Sequence, residues 1–307
     1  MGGKVLITTS SFGEASAQPL ERLRAAGFEA CLNPHRRKLT VAESKTLLPG
    51  VVGLIAGVET LNEEVLASAD SLKVISRVGV GLDSVDMEAA KKRGIPVFNT
   101  PDAHVDAVAE LAFVGLLQGM RGAWTSSRSI ASGNWERGMG RLLRGKTVGI
   151  VGFGKTGRAL ARLLAPFKAR ILALDPYWDE ATAAQLGATR ATLEQILDQA
   201  DAISLHMPGQ GGALIGAAEL ERSSKRVVLV NTARGGLIDE QALVAFLSAN
   251  TGACAVLDVF GEEPYKGPLA QLPNTILTAH VGAYVEECRA DMELQAVDNL
   301  LAALGTR

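Results

Sequence analysis

Residues 146–175 read KTVGIVGFGKTGRALARLLAPFKARILALD, and the glycines in that stretch restrict the fold more than any other feature of the chain. The apolar, β-branched run 148–151 predicts a buried strand. Gly152, Gly154 and Gly157 follow in G-x-G-x-x-G spacing, and a helix-forming run opens directly behind them. Without a Cβ the chain can turn sharply, a pyrophosphate can approach the backbone, and helix can lie close on strand. The free N–H groups of the first helical turn attract the anion. A second apolar run, 171–174, ends in Asp175, eighteen positions past Gly157 (175 − 157), where a carboxylate can accept hydrogen bonds from a ribose diol. Strand, turn, helix, strand and acid together predict a dinucleotide-binding βαβ unit.

Gly149, Gly154, Lys155 and Thr156 also satisfy G-x-x-x-x-G-K-[ST], the pattern of a triphosphate-binding P-loop. A P-loop needs its first glycine where the chain leaves the strand. Here the run 148–151 continues through Gly149, which favours the dinucleotide.

The chain has 307 residues, enough for two domains, and 47% hydrophobic residues, which suits large cores. A net charge of −2 without basic runs argues against nucleic acid or an anionic membrane as partner, leaving a small molecule. Cys31, Cys254 and Cys288 are scattered, with no C-x-x-C pair, as expected of a reducing, cytoplasmic setting. The start, MGGKVLITTS, has no signal-peptide pattern, and no apolar run reaches the length of a membrane span.

Short apolar runs alternate with amphipathic ones from the start, the pattern of parallel βαβ units. Strands are predicted at 4–8, 29–32, 52–56, 74–76 and 97–99. Helices are predicted at 16–26, 41–48, 63–68 and 84–93, the last capped by Asp83 or Asp86. A long apolar helix with small residues, 105–120, is expected to cross between domains. The stretch 124–144 is predicted irregular; its Trp124 and Trp135 mark either a subunit interface or a loop with a buried anchor. Six further strands, at 148–151, 171–174, 202–205, 227–231, 253–257 and 275–278, predict a doubly wound dinucleotide-binding domain. The last helix, 285–303, is expected to return to the first domain. The expected fold is α/β, with two Rossmann-like or flavodoxin-like domains, each a doubly wound parallel sheet, and a cleft between them. Residues 1–100 with 284–307 are expected to form one discontinuous domain, and 101–283 the dinucleotide-binding domain.

Three polar residues follow strands of the second series, where a doubly wound sheet places its ligand: Arg234 in NTARGG, Glu263 in DVFGEEP and His280 in LTAHVGA. Arginine offers a planar fork to a carboxylate, and histidine suits proton transfer near neutrality. A carboxylate beside the histidine would orient the ring and favour its protonated form. Glu262 adjoins Glu263, and read in isolation either is a turn carboxylate. His206, before Met207 and Pro208, fits a cofactor loop or a structural role. His104 opens the long helix as a candidate substrate contact, and His35 sits in a basic loop.

These pieces, with SRVGVGLDSVD, NTPDAHVDAVAEL, NTARGGLIDE, LDVFGEEP and AHVGA in order, resemble the D-2-hydroxyacid dehydrogenase family, in particular its phosphoglycerate dehydrogenase branch, over nearly the whole chain. The resemblance implies an NAD-dependent oxidoreductase acting on a 2-hydroxy or 2-keto acid as a homodimer, with no metal. Arg234 would bind the substrate carboxylate and polarise the C2 oxygen, His280 would be the general acid/base, and Glu263 would support it. Backbone groups of Val80 and Gly81 would meet the substrate carboxylate, with Arg77 nearby. Lys155, Thr156, Met207, Thr232, Ala233, Gly282 and Ala283 would line the cofactor, and Asp258 would face the nicotinamide amide. Asp175 implies NAD, since its charge would repel a 2′-phosphate.

The chain also departs from that branch. Where the resemblance leads one to expect an arginine that holds a substrate phosphate, the sequence reads GLIAGVETLN, with no base in 57–60. Arg77 and Arg137 are the remaining candidates for that charge. The stretch LHMPGQGGALIG replaces a longer, threonine-containing cofactor loop, and a C-terminal regulatory extension is not expected. A glyoxylate or hydroxypyruvate reductase and an NAD-sensing corepressor-like binding protein stand as alternatives to a phosphoglycerate dehydrogenase.

Overall fold

In the computed structural model, which describes residues 2–209 and 211–305, the apolar runs form two sheets in which every paired strand is parallel. The chain divides into two compact units. The first holds the residues up to His104 together with those from Tyr284 onward, and the second is Val105–Ala283.

The sheet of the first unit has strands β1 (Lys4–Ile7), β2 (Glu29–Leu32), β3 (Val51–Ala56), β4 (Val74–Arg77) and β5 (Val97–Phe98), in the order β2-β1-β3-β4-β5. Leu54, Ile55 and Ile75 are fully buried, as near-continuous apolar strands covered on both faces must be. The helices between them are closed by side-chain caps: a Thr40–Glu43 capping box starts Val41–Leu47, and Asn62 caps Glu63–Ala67. Asp86 caps Met87–Lys92 by accepting from the Ala89 amide at 2.9 Å. That helix starts three residues later than its pattern predicts, because Val85 forms a parallel bridge with Leu61 and the Asp86 amide donates to the Leu61 carbonyl. Asp83 stands outside the cap. The helix Glu286–Ala303 lies on the face of β3: a Cβ on Gly53 would come within 3.0 Å of Leu300 Cδ1. Its buried Glu293 accepts from the Gly13 amide at 2.8 Å and from Arg289 at 2.6 Å. The chain leaves this unit after His104, four residues beyond the expected position. Just before it, the Thr100 amide donates to the Gly79 carbonyl at 3.1 Å and its hydroxyl accepts from the Gly79 amide at 2.8 Å, fixing Thr100 to the loop after β4.

The second unit contains β6 (Thr147–Val151), β7 (Arg170–Leu174), β8 (Ala188–Arg190), β9 (Ala202–Leu205), β10 (Val228–Asn231), β11 (Cys254–Leu257) and β12 (Thr275–Leu277), in the order β12-β11-β10-β9-β6-β7-β8. This is the doubly wound arrangement, with its reversal of strand order at β6 and β9. Among the described residues there are seven strands instead of the six expected. β8 escapes pattern reading because it is a three-residue edge strand with two of its residues exposed. The helix Val105–Arg121 belongs to this unit and lies on its sheet. Its small residues permit that approach: a Cβ on Gly119 would stand 2.5 Å from Val228 Cγ1, and one on Gly115 would stand 2.9 Å from Val256 Cγ1.

The stretch 124–144 is not wholly irregular, since Ala123–Ala131 is a helix set off from its predecessor by Gly122 at φ +61°. None of its side chains is buried, so it has no core-facing stripe to betray it in the sequence. Trp124 is 39% and Trp135 80% exposed, and neither is a buried anchor. Among the described residues no helix is long and apolar enough to cross a membrane.

Candidate active site

The glycine turn after β6 uses each glycine differently. Gly149 lies inside β6, where a Cβ would stand 2.3 Å from Ile196 Cγ2, so it is a packing glycine and not the opening of a P-loop. Gly152 has φ +96°, and a Cβ there would meet the His206 carbonyl oxygen at 2.5 Å. At Gly157 a Cβ would fall 2.2 Å from the Gly152 carbonyl oxygen. Gly154 caps the helix Lys155–Leu164, and the position of its missing Cβ has no protein atom within 4 Å. Gly149, Gly152 and Gly157 are thus required by the protein's own packing, while Gly154 leaves open space at a helix N-terminus. Lys155 is exposed and Thr156 half-buried on the first turn of that helix. Asp175 is drawn to the same turn: its carboxylate accepts from the Phe153 amide at 2.7 Å and from the Tyr177 amide at 2.8 Å.

Across the strand reversal, His206 and Met207 follow the end of β9. His206 Nε2 stands 2.8 Å from the hydroxyl of the fully buried Ser204. Although the residue keeps some surface, its ring faces inward, and burial pushes the imidazole down to about 4. It is a neutral structural histidine near neutrality. Met207 is half-buried and packs on the unit's core.

The loop after β10 is shaped by Asn231, whose side chain donates to the Arg234 carbonyl at 2.8 Å and accepts from the Ala233 amide at 3.1 Å. The Thr232 hydroxyl oxygen between them is shielded from solvent with no hydrogen-bond partner among the described residues, and a bound molecule could supply one. Arg234 Nη1 donates to the Ala233 carbonyl at 2.7 Å. Gly235 then lies against the next loop, where a Cβ would be 1.8 Å from the Phe260 carbonyl oxygen.

β11 and β12 carry the remaining groups. Glu263 accepts from the Phe260 amide through Oε1 at 3.1 Å, and its Oε2 meets His280 Nδ1 at 2.9 Å. The histidine side chain is 53% exposed. His280 has φ +53°, a left-handed conformation costing an L-residue about 1 to 2 kcal/mol. Asp258 holds it there. This residue is 1% exposed; its carbonyl accepts the His280 amide at 3.0 Å. Its carboxylate accepts from the Thr278 hydroxyl at 2.5 Å and the Val281 and Gly282 amides at 2.8 Å each. Three of about four acceptor positions are therefore used by the turn itself. Gly282 is buried beside Asp258, and Ala283 follows half-buried.

Arg234, Glu263 and His280 thus stand beyond the carboxyl ends of three adjacent strands, β10, β11 and β12, and the last two are in direct contact. Arg77, Val80 and Gly81 lie in the first unit, at and after β4. The Val80 carbonyl accepts from Asn99 at 2.8 Å, and the Arg77 guanidinium lies over Gly79, where a Cβ would be 1.5 Å from Nη1. His35 approaches Glu43 at 3.5 Å on the surface. Asn231 and Thr278, which shape the two loops, were not singled out in the sequence; a polar residue ending an apolar strand is their only signal. Among the described residues no group of three or more His, Cys, Asp or Glu side chains is placed to hold a metal ion.

Residues 113–282 match the family model described as D-isomer specific 2-hydroxyacid dehydrogenase, NAD binding domain. The chain belongs to the D-isomer-specific 2-hydroxyacid dehydrogenase family. Within this family it is 37% identical over 278 residues to the D-3-phosphoglycerate dehydrogenase of Mycobacterium tuberculosis, covering 88% of this chain and 52% of that protein. The chain spans about half the length of the phosphoglycerate dehydrogenases it matches. It is also 37% identical over 256 residues to the glyoxylate reductase of Thermococcus litoralis, covering 80% of this chain and 77% of that one. The crystal structure of the TT0316 protein from Thermus thermophilus superposes with a TM-score of 0.88 at 35% identity, covering 99% of this chain and 98% of that one. The matched NAD-binding domain falls within the second unit of this chain, and the open glycine turn, the helix start and the Thr232 hydroxyl fit such a cofactor.

Proposed function

We propose that this chain is an NAD-dependent D-2-hydroxyacid dehydrogenase, with the first unit as its substrate-binding domain. The observation that carries the reading is the His280–Glu263 pair, held on a strained turn by a buried carboxylate. NAD, when bound, supplies the acceptor for the hydride leaving C2 of a hydroxy acid, and its reduced form supplies the donor for the reverse reaction. With Nδ1 engaged by Glu263, Nε2 of His280 is the atom left to take the substrate hydroxyl proton in oxidation and return it in reduction. Arg234 presents a guanidinium fork to the substrate carboxylate and polarises the C2 oxygen. The backbone of Val80 and Gly81, after β4, is the proposed substrate-binding element of the first unit. The helix start at Gly154, Lys155 and Thr156 holds the pyrophosphate, and Asp175 takes the ribose diol, its charge opposing a 2′-phosphate. Met207, Thr232, Ala233, Gly282 and Ala283 line the cofactor, and Asp258 offers its remaining acceptor position to the carboxamide.

Initial-rate oxidation of NADH against glyoxylate, hydroxypyruvate, pyruvate, 2-ketoglutarate and 3-phosphohydroxypyruvate tests this directly. Turnover of at least one acid is expected, with NADPH the poorer donor. Absence of a rate with every acid would remove the enzymatic reading.

The working form is proposed to be a homodimer. Ile130, Trp135, Met139 and Leu142 are 55%, 80%, 92% and 65% exposed within thirteen residues (142 − 130 + 1), an apolar segment of the kind that marks an interface. Sedimentation analysis should give a dimer for the native chain and a monomer for Trp135→Asp; a native monomer would refute the assignment. The setting is proposed to be cytoplasmic: all three thiols are free, and burial pushes Cys254 up to about 12 and Cys288 up to about 11.

A further inference from the structure

In a sheet of order β2-β1-β3-β4-β5 the strand order reverses between β1 and β3, and the crevice beyond the carboxyl ends of those two strands is where such folds take a ligand. The loops that open there begin at Thr8 and Gly57. In this kind of crevice the first backbone N–H beyond a strand and a neighbouring hydroxyl are the ready donors for an anion. Here both are already taken. The Gly57 amide donates to Glu59 Oε2 at 3.1 Å and lies 3.0 Å from the Thr8 hydroxyl, which in turn donates to Glu59 Oε1 at 2.5 Å. Glu59 is 2% and Thr8 4% exposed, so this is an interior arrangement and not a surface contact.

We propose that Glu59 is a specificity-determining residue: its carboxyl group fills the anion seat at the β1/β3 reversal and directs this chain to 2-keto acids without a phosphate. The inference rests on the dehydrogenase reading above and names the substrate class of that activity. Burial pushes the Glu59 carboxyl up, while the Thr8 hydroxyl, the Gly57 amide and the charge of Arg77 favour the ionised form. In either protonation state the group consumes the donors a phosphate would need. When ionised it also repels a phosphate and offsets the charge of Arg77 at the end of β4. A single residue therefore both removes an attraction and adds a repulsion. The absence of a base from 57–60 is then only half of the difference, since a carboxylate has taken the position.

The test compares kcat/KM for hydroxypyruvate and 3-phosphohydroxypyruvate in the native chain, in Glu59→Ala and in the near-isosteric Glu59→Gln, with the fold of each checked by circular dichroism. The native chain is expected to favour hydroxypyruvate by at least about tenfold. Both variants should narrow that ratio through a lower KM for the phosphorylated acid. In parallel, inorganic phosphate at millimolar concentration should raise the melting temperature of Glu59→Ala by about 2 °C or more and leave the native chain unmoved. A native preference for the phosphorylated acid, or a folded variant with an unchanged ratio, overturns the proposal. If the native chain reduces no 2-keto acid, the dehydrogenase reading fails on its own, and the phosphate-dependent shift still decides whether Glu59 fills an anion seat.

Discussion

Replacing His280 with Asn is expected to lower kcat by about 100- to 10,000-fold, the range that a positioned general acid/base contributes. NADH binding should stay close to native. Asparagine tolerates the left-handed backbone that residue 280 adopts at φ +53°, so the turn tied to Asp258 is retained while the exchangeable ring nitrogen is lost. Rates measured beside a fluorescence titration of NADH separate the two effects. Parallel loss of turnover and NADH affinity would show that His280 holds the turn and moves no proton.

Gly157→Ala is the substitution expected to damage the fold most. The added Cβ would fall 2.2 Å from the Gly152 carbonyl oxygen, a backbone atom, and its own position is fixed by the backbone, so neither can rotate away. A loss of about 3 kcal/mol or more in unfolding free energy is expected, the upper range for overpacking, together with loss of coenzyme binding as the turn is pushed apart. Gly154→Ala is the matched control. Its φ is −75° and its Cβ position is open, so the protein should keep its stability and lose coenzyme affinity alone. Denaturant midpoints of the two variants check this, and equal destabilisation in both would mean that the glycines do not divide their roles this way.

Features dictated by short-range geometry were legible in the sequence. Gly152, Gly157 and Asp175 declare themselves because the turn forces them into fixed spacing, and the structure brings Asp175 back to the Phe153 amide in the middle of that turn. Long apolar strands such as β6 and β10 were equally plain. β8 and the helix Ala123–Ala131 were not, because neither buries enough apolar surface to leave a period in the sequence. At the site, the residue types ending β10, β11 and β12 could be read, but not what holds them. Nothing about Asp258 in one dimension tells that its carboxylate binds three groups of the His280 turn. The missing base after β3 is likewise plain in the sequence, whereas the seating of Glu59 on Gly57 and Thr8 is a matter of three-dimensional packing.

The path of the chain through the first unit also sets a schedule for its birth on the ribosome. All five strands of that sheet have emerged by Phe98, yet the helix that lies over Gly53 begins only at Glu286, 188 residues later (286 − 98). At translation rates of 5 to 20 residues per second that is a wait of about 10 to 40 s. For that whole interval the apolar face destined for Leu300 has no cover, while the second unit emerges whole and can close its own core. The domain begun first is therefore the one finished last.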